Sequence, residues 1–533
     1  MAVSVPQVWN GMYKGSMSEE TAELVYNTRS QEVIPGLKKM IFNFPIELVE
    51  RSLEEERSIR EIVKEEDIDW HSYIGEMRNY QTVGTAFMYY SPRSIIGDGV
   101  GLGKTVEISA LINFLKTKNQ MRRFLIAVET SALGQTQCEL MKFTGLYVVQ
   151  LPSEAYKLKR AISEIKWSKV DGIVIKHSTL RSDVFSKWIA QNLNSDGGCN
   201  IFDTFFLDES SVIKNVETKI ATYTKNICNV CKRVHFMNAT VFETNIMDIY
   251  NQMDMLVPDL LPKKSKINKQ YCTFGRRSFW VKEGGKAVMK WAWDMTGYKN
   301  QEEFKKRIQL YYFARCKADI GMDRPHIYKV YEIEPNNNQS LALAKKYRYM
   351  EVLNCPSLIP ELKMETIRAN VPKLDRLCQL LEEDFSDDQV MVYCFHIEAQ
   401  KAIRDELLKI GRKPAILNGD SSDEERYECQ KRFNSGEYDV IITNIQKSLN
   451  LHGGTVCIFY TVLTNSARLE QVRGRIDRNT TDDTKTFVLL LYKGTDEHKF
   501  FMDVVKERAK NARDLTIDAK TAVDYFIDAL NAG

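Results

Sequence analysis

The chain has 533 residues, 44% hydrophobic and 27% charged, with 74 Lys and Arg against 71 Asp and Glu for a net charge of +3. That length suggests about three domains of ordinary globular composition, and the near-neutral balance excludes a global basic field, so any nucleic-acid surface must be local. Eleven cysteines without a repeating framework read as reduced thiols, and the absence of a signal-like start or an apolar run of about 18 residues predicts a soluble, cytoplasmic protein with no membrane association.

Residues 1–74 read as a helical N-terminal extension. Ser16-Met-Ser-Glu19 has the form of a capping box, and after Pro45 the charged stretch from Glu47 to Glu66 carries leucines and isoleucines at helical spacing. Helices packed on the rest of the molecule fit this better than a separate DNA-binding module. From 75 to 257 short β-rich runs alternate with helical spacers. Strands are predicted at Arg123–Val128, Gly172–Ile175, Thr204–Leu207 and Val234–Met237, which implies a parallel sheet wrapped by helices. Within this region Cys228-Asn-Val-Cys231 has the spacing of half a zinc site. No second such pair follows, so these read as two ordinary thiols at the end of a helix.

Residues 258–370 break the rhythm and are predicted to be a mainly helical insertion. A basic, aromatic patch from Lys263 to Lys282 holds Lys263, Lys264, Lys266, Lys269, Arg276, Arg277 and Trp280; it suits a nucleic-acid backbone and a solvated loop equally. A second alternating region covers 371–492, with strands at Val390–Cys394, Pro414–Leu417, Asp439–Thr443, Val456–Tyr460 and Thr486–Leu491. Two amphipathic helices, Asp496–Arg508 and Asp514–Leu530, close the chain over 493–533. The fold class is therefore α/β, with two parallel sheets flanked by helices and with helical additions.

Residues 98–105 read Asp-Gly-Val-Gly-Leu-Gly-Lys-Thr, between an apolar stretch and a helix-like run. Glycines let backbone N–H groups approach phosphate oxygens, and the following helix points its positive end at them. Gly99, Gly101 and Gly103 form the cradle, Lys104 reaches the β and γ phosphates, and Thr105 offers a hydroxyl to Mg2+. Asp98 occupies the first glycine position of the usual pattern. About a hundred residues later Phe205-Phe-Leu-Asp208-Glu209 places two carboxylates at the end of an apolar strand, where an open parallel sheet presents its ligand edge. Asp208 suits Mg2+ and Glu209 suits activation of a water. Far downstream, Gln471-Val-Arg-Gly-Arg475-Ile-Asp-Arg478 puts Arg475 and Arg478 three apart; on a helix they share a face and could neutralise a γ-phosphate.

Taken in order, these motifs resemble the Swi/Snf-type superfamily 2 ATPases, the double-stranded-DNA translocases that include chromatin remodellers and bacterial relatives. The resemblance runs from about residue 77 to 497. Met77-Arg-Asn-Tyr80-Gln81 resembles the family's adenine-reading segment, with Gln81 as the base contact, and Asp98 matches an acid that the family carries. Ala127 to Leu140 resembles motif Ia and Lys176-His-Ser-Thr179 motif Ib; these imply DNA contacts at Ser131, Gln135 and Thr179. Asn238-Ala-Thr240 resembles the coupling motif III. In the second half, Leu417-Asn-Gly419, Arg432-Phe-Asn434 and Ser448-Leu-Asn450 are family-like, with Asn444 and Asn450 as further DNA contacts, and 471–478 resembles motif VI, with Gln471 near the nucleotide. Ser210-Ser211 after the acid pair, Val241 in motif III and Ser448 in motif V depart from the family pattern.

The resemblance implies two RecA-like lobes, ATP and Mg2+ as cofactors, and a monomer that moves on duplex DNA through sequence-independent phosphate contacts. Two other readings stay open: a strand-separating or branch-migrating helicase, and an ATP-gated factor docking on RNA polymerase or a repair complex. The compact chain suggests a bacterial or phage-infected cytoplasm.

Overall fold

The computed structural model describes residues 2–4, 16–18, 68–74, 77–99, 101–194, 198–239, 246–283, 286–308, 311–315, 317, 320, 326–334, 371–445, 449–463, 466–477, 484–493, 498, 500–506 and 522–532. The chain divides into two compact units. The first comprises Met1–Tyr271 with Lys299–Gly321 and Leu515–Ile517; the second comprises Cys272–Tyr298, Met322–Asp514 and Asp518–Gly533.

At the N-terminus, Ala2–Ser4 (β1) and Ser16–Ser18 (β2) pair antiparallel, Val3 opposite Met17. Ser16 of the predicted capping box thus lies in a strand, while Glu19 lies outside the described residues. Most of the predicted N-terminal helical extension lies outside the described residues.

The first unit is built on a seven-stranded, wholly parallel sheet. Its strands are Arg93–Ile96 (β3), Phe124–Val128 (β4), Val148–Leu151 (β5), Gly172–Lys176 (β6), Thr204–Asp208 (β7), Arg233–Met237 (β8) and the short Tyr312–Phe313 (β11), ordered β11-β3-β8-β7-β4-β6-β5. Every residue of β3, β4 and β8 is buried, as a parallel sheet covered on both faces requires. At Gly172 a Cβ would run into the Phe124 ring, so β6 approaches β4 where only glycine fits.

In the chain after residue 258 the expected helical insertion is partly a long hairpin. Cys272–Glu283 (β9) and Lys286–Tyr298 (β10) pair antiparallel, with an irregularity between Met295 and Gly297. The stretch is dense in aromatic and β-branched residues, which favour strands. Lys264–Tyr271 and Gln301–Ile308 on either side are helical, and the Lys299 N–H donates to the Tyr271 carbonyl (2.9 Å) at the hairpin's base.

The second unit holds a six-stranded parallel sheet of Ile327–Ile333 (β12), Val390–Tyr393 (β13), Pro414–Leu417 (β14), Val440–Thr443 (β15), Val456–Phe459 (β16) and Thr486–Tyr492 (β17), ordered β12-β17-β16-β13-β15-β14. Alternate residues divide between two cores. Met391, Tyr393, Ile441, Phe459, Phe487 and Leu489 pack on one face with Leu469, Val472, Phe526 and Ile527. Val390, Val392, Ile442, Ile458 and Val488 pack on the other with Leu377, Ile403 and Leu407. This period of two within continuous apolar runs accounts for strands that read as unbroken hydrophobic segments. Ala522–Ala532 is helical, as predicted, whereas Phe500–Val505 forms a π-helix. No helix among the described residues is long and apolar enough to cross a membrane.

Candidate functional site

Beyond Ile96 the chain leaves β3 and crosses the carboxyl edge of the first sheet, then enters the helix Lys104–Thr117 through Gly103. Gly101 and Gly103 hold φ of 86° and 83°, the left-handed region that glycine enters without steric cost. Gly103 caps the helix without a side-chain bond, so the first amides and the positive helix end remain available to an anion. Lys104 Nζ donates to the carbonyls of Asp98 (2.8 Å) and Gly99 (3.5 Å), which curls the ammonium over the loop. Thr105, in the first turn, is half-buried.

The segment beneath the loop is bound to it. Tyr80 Oη donates to the Leu102 carbonyl (2.9 Å), as does Gln81 Nε2 (3.0 Å), and Gln81 Oε1 accepts from the Arg78 N–H (2.9 Å). Gln81, predicted to contact a base, is buried and supports the loop in this structure.

Asp208 ends β7 opposite Met237 of β8. Withdrawal from water, with the neighbouring Glu209 charge second, pushes the Asp208 carboxyl up to about 6, while Lys104 pulls it back. That opposing pull places the loop lysine and the strand-end acid in one electrostatic neighbourhood. Glu209 sits at φ 50°, ψ 54°, a left-handed conformation uncommon for a non-glycine residue. It turns the chain sharply after the acid pair. His177 Nε2 shares a hydrogen bond with the Asp208 carbonyl (2.8 Å), and Ser210 Oγ donates to Gln252 Oε1. At the end of β8, buried Asn238 donates its N–H to the Ile96 carbonyl (3.0 Å), so the coupling candidate bridges to the strand that launches the loop.

The residues present fit a magnesium nucleotide. Glycines in the left-handed region and the start of a helix suit phosphate, and two adjacent carboxylates, one raised to about 6 chiefly by burial, suit a divalent cation.

In the second unit the helix Ser466–Arg473 ends before Arg475, and residues 474–476 form a turn. Arg475 therefore lies beyond the helix, and the predicted shared face with Arg478 falls outside the described residues. Arg475 is buried, its Nε donating to the Gln471 carbonyl (2.8 Å) and its Nη1 to the Leu449 carbonyl (3.2 Å). Gln471 is buried too. Arg473 Nη1 donates to Tyr328 Oη (2.9 Å), and His326 pairs with Asp477 at 3.4 Å, so β12 braces this segment.

The expected DNA contacts differ in placement. Gln135 is exposed, donating to Glu139 Oε1 (2.8 Å), and Asn450 is exposed with its N–H bound to Gln430 Oε1 (2.6 Å). Asn444 is half-buried. Thr179 is fully buried and so is not placed to meet a phosphate, because its short helix, His177–Leu180, lies within the packed layer. The side chain of Ser131, and Thr240 and Arg478 entirely, lie outside the described residues. Lys263, Lys264, Lys266 and Lys269 are all exposed. Cys228 and Cys231 are buried at the end of the helix Lys219–Val230, and burial drives the Cys228 thiol up to about 12.

Sequence reasoning missed Arg315. It lies just beyond β11 and is buried against Asp98 and Glu107. The signal was indirect: an acid in a buried loop needs a cation, and nothing in the spacing says which one.

Comparison with known families is consistent with this geometry. Residues 80–340 match the SNF2-related domain, and residues 372–480 match the helicase conserved C-terminal domain. The chain belongs to the Swi/Snf-type superfamily 2 ATPases. Among relatives of this Swi/Snf-type ATPase is the SWI/SNF-related matrix-associated actin-dependent regulator of chromatin subfamily A-like protein 1 of Xenopus laevis, 21% identical over 92% of this chain and 49% of that protein. A DNA excision repair protein ERCC-6-like from Mus musculus is 24% identical over 45% of this chain and 19% of that protein. The uncharacterized ATP-dependent helicase YqhH of Bacillus subtilis is 27% identical over 34% of this chain and 28% of that protein. The chain thus spans about half or less of the length of these relatives. Among solved structures, the Sulfolobus solfataricus SWI2/SNF2 ATPase core in complex with dsDNA aligns over 87% of this chain and 97% of that chain, with a TM-score of 0.41 and 20% identity.

Proposed function

We propose that this Swi/Snf-type ATPase hydrolyses ATP in response to duplex DNA and translocates along it, remodelling DNA or protein–DNA complexes. The observation that carries the reading is the meeting of the glycine loop and the Asp208-Glu209 pair at one sheet edge, in a chain that also matches the helicase C-terminal domain. The relatives' names, a chromatin regulator and a DNA excision repair protein, support a DNA setting.

In this mechanism the amides at Gly101 and Gly103 and the Lys104 ammonium receive the phosphates. Lys104 leaves the Asp98 and Gly99 carbonyls to do so. Thr105 and Asp208 would hold Mg2+, which would neutralise the charge that develops on the phosphates. Glu209, turned by its left-handed backbone, orients the attacking water and takes its proton. Arg475 and Arg478 stabilise the transition state, a role worth about 10³–10⁵ in rate in comparable enzymes. Arg475 first has to release the Gln471 and Leu449 carbonyls. Phosphate contacts along the duplex make the activity salt-sensitive and sequence-independent.

A second reading, strand separation, is motivated by the long β9–β10 hairpin, a shape suited to parting a duplex. The test is the ATP hydrolysis rate with no nucleic acid, single-stranded DNA and duplex DNA. Strong stimulation by duplex supports translocation. Unwinding of a forked duplex, with preference for single strands, supports the second reading, and no stimulation by any DNA overturns both.

A further inference from the structure

Arg315 joins three segments of the nucleotide site from a distant part of the chain. Its Nε donates to both Asp98 carboxylate oxygens (3.2 and 3.1 Å), and its Nη2 donates to Glu107 Oε1 (2.6 Å). Nη2 also meets Asp98 Oδ2, and Nη1 donates to the Tyr80 carbonyl. The backbone adds a further link, because the Gly99 N–H donates to the Arg315 carbonyl (2.8 Å). Asp98 begins the loop and accepts from Lys104. Glu107 lies in the first turn of the loop helix. Tyr80 precedes Gln81, whose amide supports Leu102.

The cluster is buried and closely packed. The guanidinium carbon lies 4.6 Å from the Phe313 ring centroid and 5.4 Å from that of Tyr80. A Cβ at Gly84 would come within 2.7 Å of both Arg315 and Glu107, so the helix Asn79–Tyr90 approaches this cluster through a glycine. Burial, then the Asp98 charge, pushes the Glu107 carboxyl up to about 8, although Arg315 pulls it down. A planar fork is required to serve three partners at once; a lysine ammonium, compact and hydrated, lacks that geometry.

We propose that Arg315 is a positioning residue for nucleotide binding: its fork fixes the base of the loop, the loop helix and the Tyr80–Gln81 segment relative to one another, so that Lys104 and the loop amides are held ready for phosphate. This rests on the reading of the loop as an ATP site. A role confined to stability makes a different prediction, namely a lower unfolding temperature with unchanged nucleotide affinity in the folded protein.

The experiment uses the full chain and a fluorescent ATP analogue with Mg2+, titrated well below the unfolding temperature, with circular dichroism as the check of folding. Arg315→Lys is expected to weaken binding about tenfold or more while the protein stays folded, the scale of losing charge-assisted hydrogen bonds. Asp98→Asn, which keeps the side-chain volume and one acceptor, is expected to do the same and decides the matter if Arg315→Lys does not fold. A folded variant that binds within about threefold of the parent overturns the positioning role. A parent chain that binds no analogue instead overturns the ATP-site reading, and this inference with it.

Discussion

Gly103 is the position at which loop shape and loop support can be separated by experiment. Replacing it with alanine forces a side chain into φ 83°, ψ 41°, which costs about 1–2 kcal/mol in the left-handed region. The new methyl also meets Gln81 Nε2 and displaces its hydrogen bond to the Leu102 carbonyl, costing about 1 kcal/mol more. The strain falls on the loop at the sheet edge and its bonds to Gln81, not on the buried strands. The cost therefore appears as a smaller fraction of molecules with a competent loop, not as global unfolding. At about 1.4 kcal/mol per decade, ATP affinity should fall roughly 30- to 150-fold. Gly101→Ala is the control, since its φ is 86° but a Cβ there meets nothing within 4 Å. It carries the backbone cost alone, a loss of roughly 5- to 30-fold. Titration of a fluorescent ATP analogue against both variants measures the difference, and in a Gln81→Ala background the two costs should converge. Equal losses at Gly101 and Gly103 in the parent background would refute the argument from Gln81.

Three further outcomes are expected. Because Asp208 titrates near 6, the native state keeps its proton through a window, from about pH 4 to pH 6, in which the unfolded chain has lost its own, so this residue's contribution to stability falls as pH rises. Asp208→Asn should therefore gain stability relative to the parent between pH 4 and pH 7 in denaturant titrations, while losing ATP turnover. Gly172→Ala drives a methyl into the Phe124 ring and should destabilise the first unit by about 1–3 kcal/mol, seen as a lower thermal midpoint. Tyr328→Phe removes the hydroxyl that Arg473 donates to (2.9 Å) and should cost about 1.5–3 kcal/mol in chemical denaturation, as expected for a partly buried bond to a charged group.

The parallel sheets were legible because their strands are short apolar runs bounded by helical spacers. β4, β7, β14 and β17 fall within a residue of their predicted limits at each end. β12 escaped because Lys329 and Glu332 interrupt its apolar residues, so that Ile-Tyr-Lys-Val-Tyr-Glu-Ile is neither an unbroken apolar run nor a strict alternation, although it pairs along its whole length with β17. The hairpin escaped for a related reason: its lysines, arginines and tryptophans read as a patch, and composition conceals strand pairing. Loop and acid pair were visible because each follows a strand directly, so local pattern fixes their place at the sheet edge. Arg315 and the burial of Thr179 depend on contacts distant in sequence, which no local spacing encodes.

The pairing of Arg315 with Asp98 spans 217 residues. On a ribosome adding about 5–20 residues each second, roughly 10–40 seconds separate synthesis of the loop from arrival of the arginine that neutralises it. During that interval Asp98 and Glu107 lack their cation, and β3 lacks its neighbour β11. The emerging first unit can assemble β4 to β8 in that time, but the nucleotide loop is among its last parts to be completed. A ribosome stalled shortly before residue 315 would thus present a largely folded sheet with an unfinished phosphate cradle.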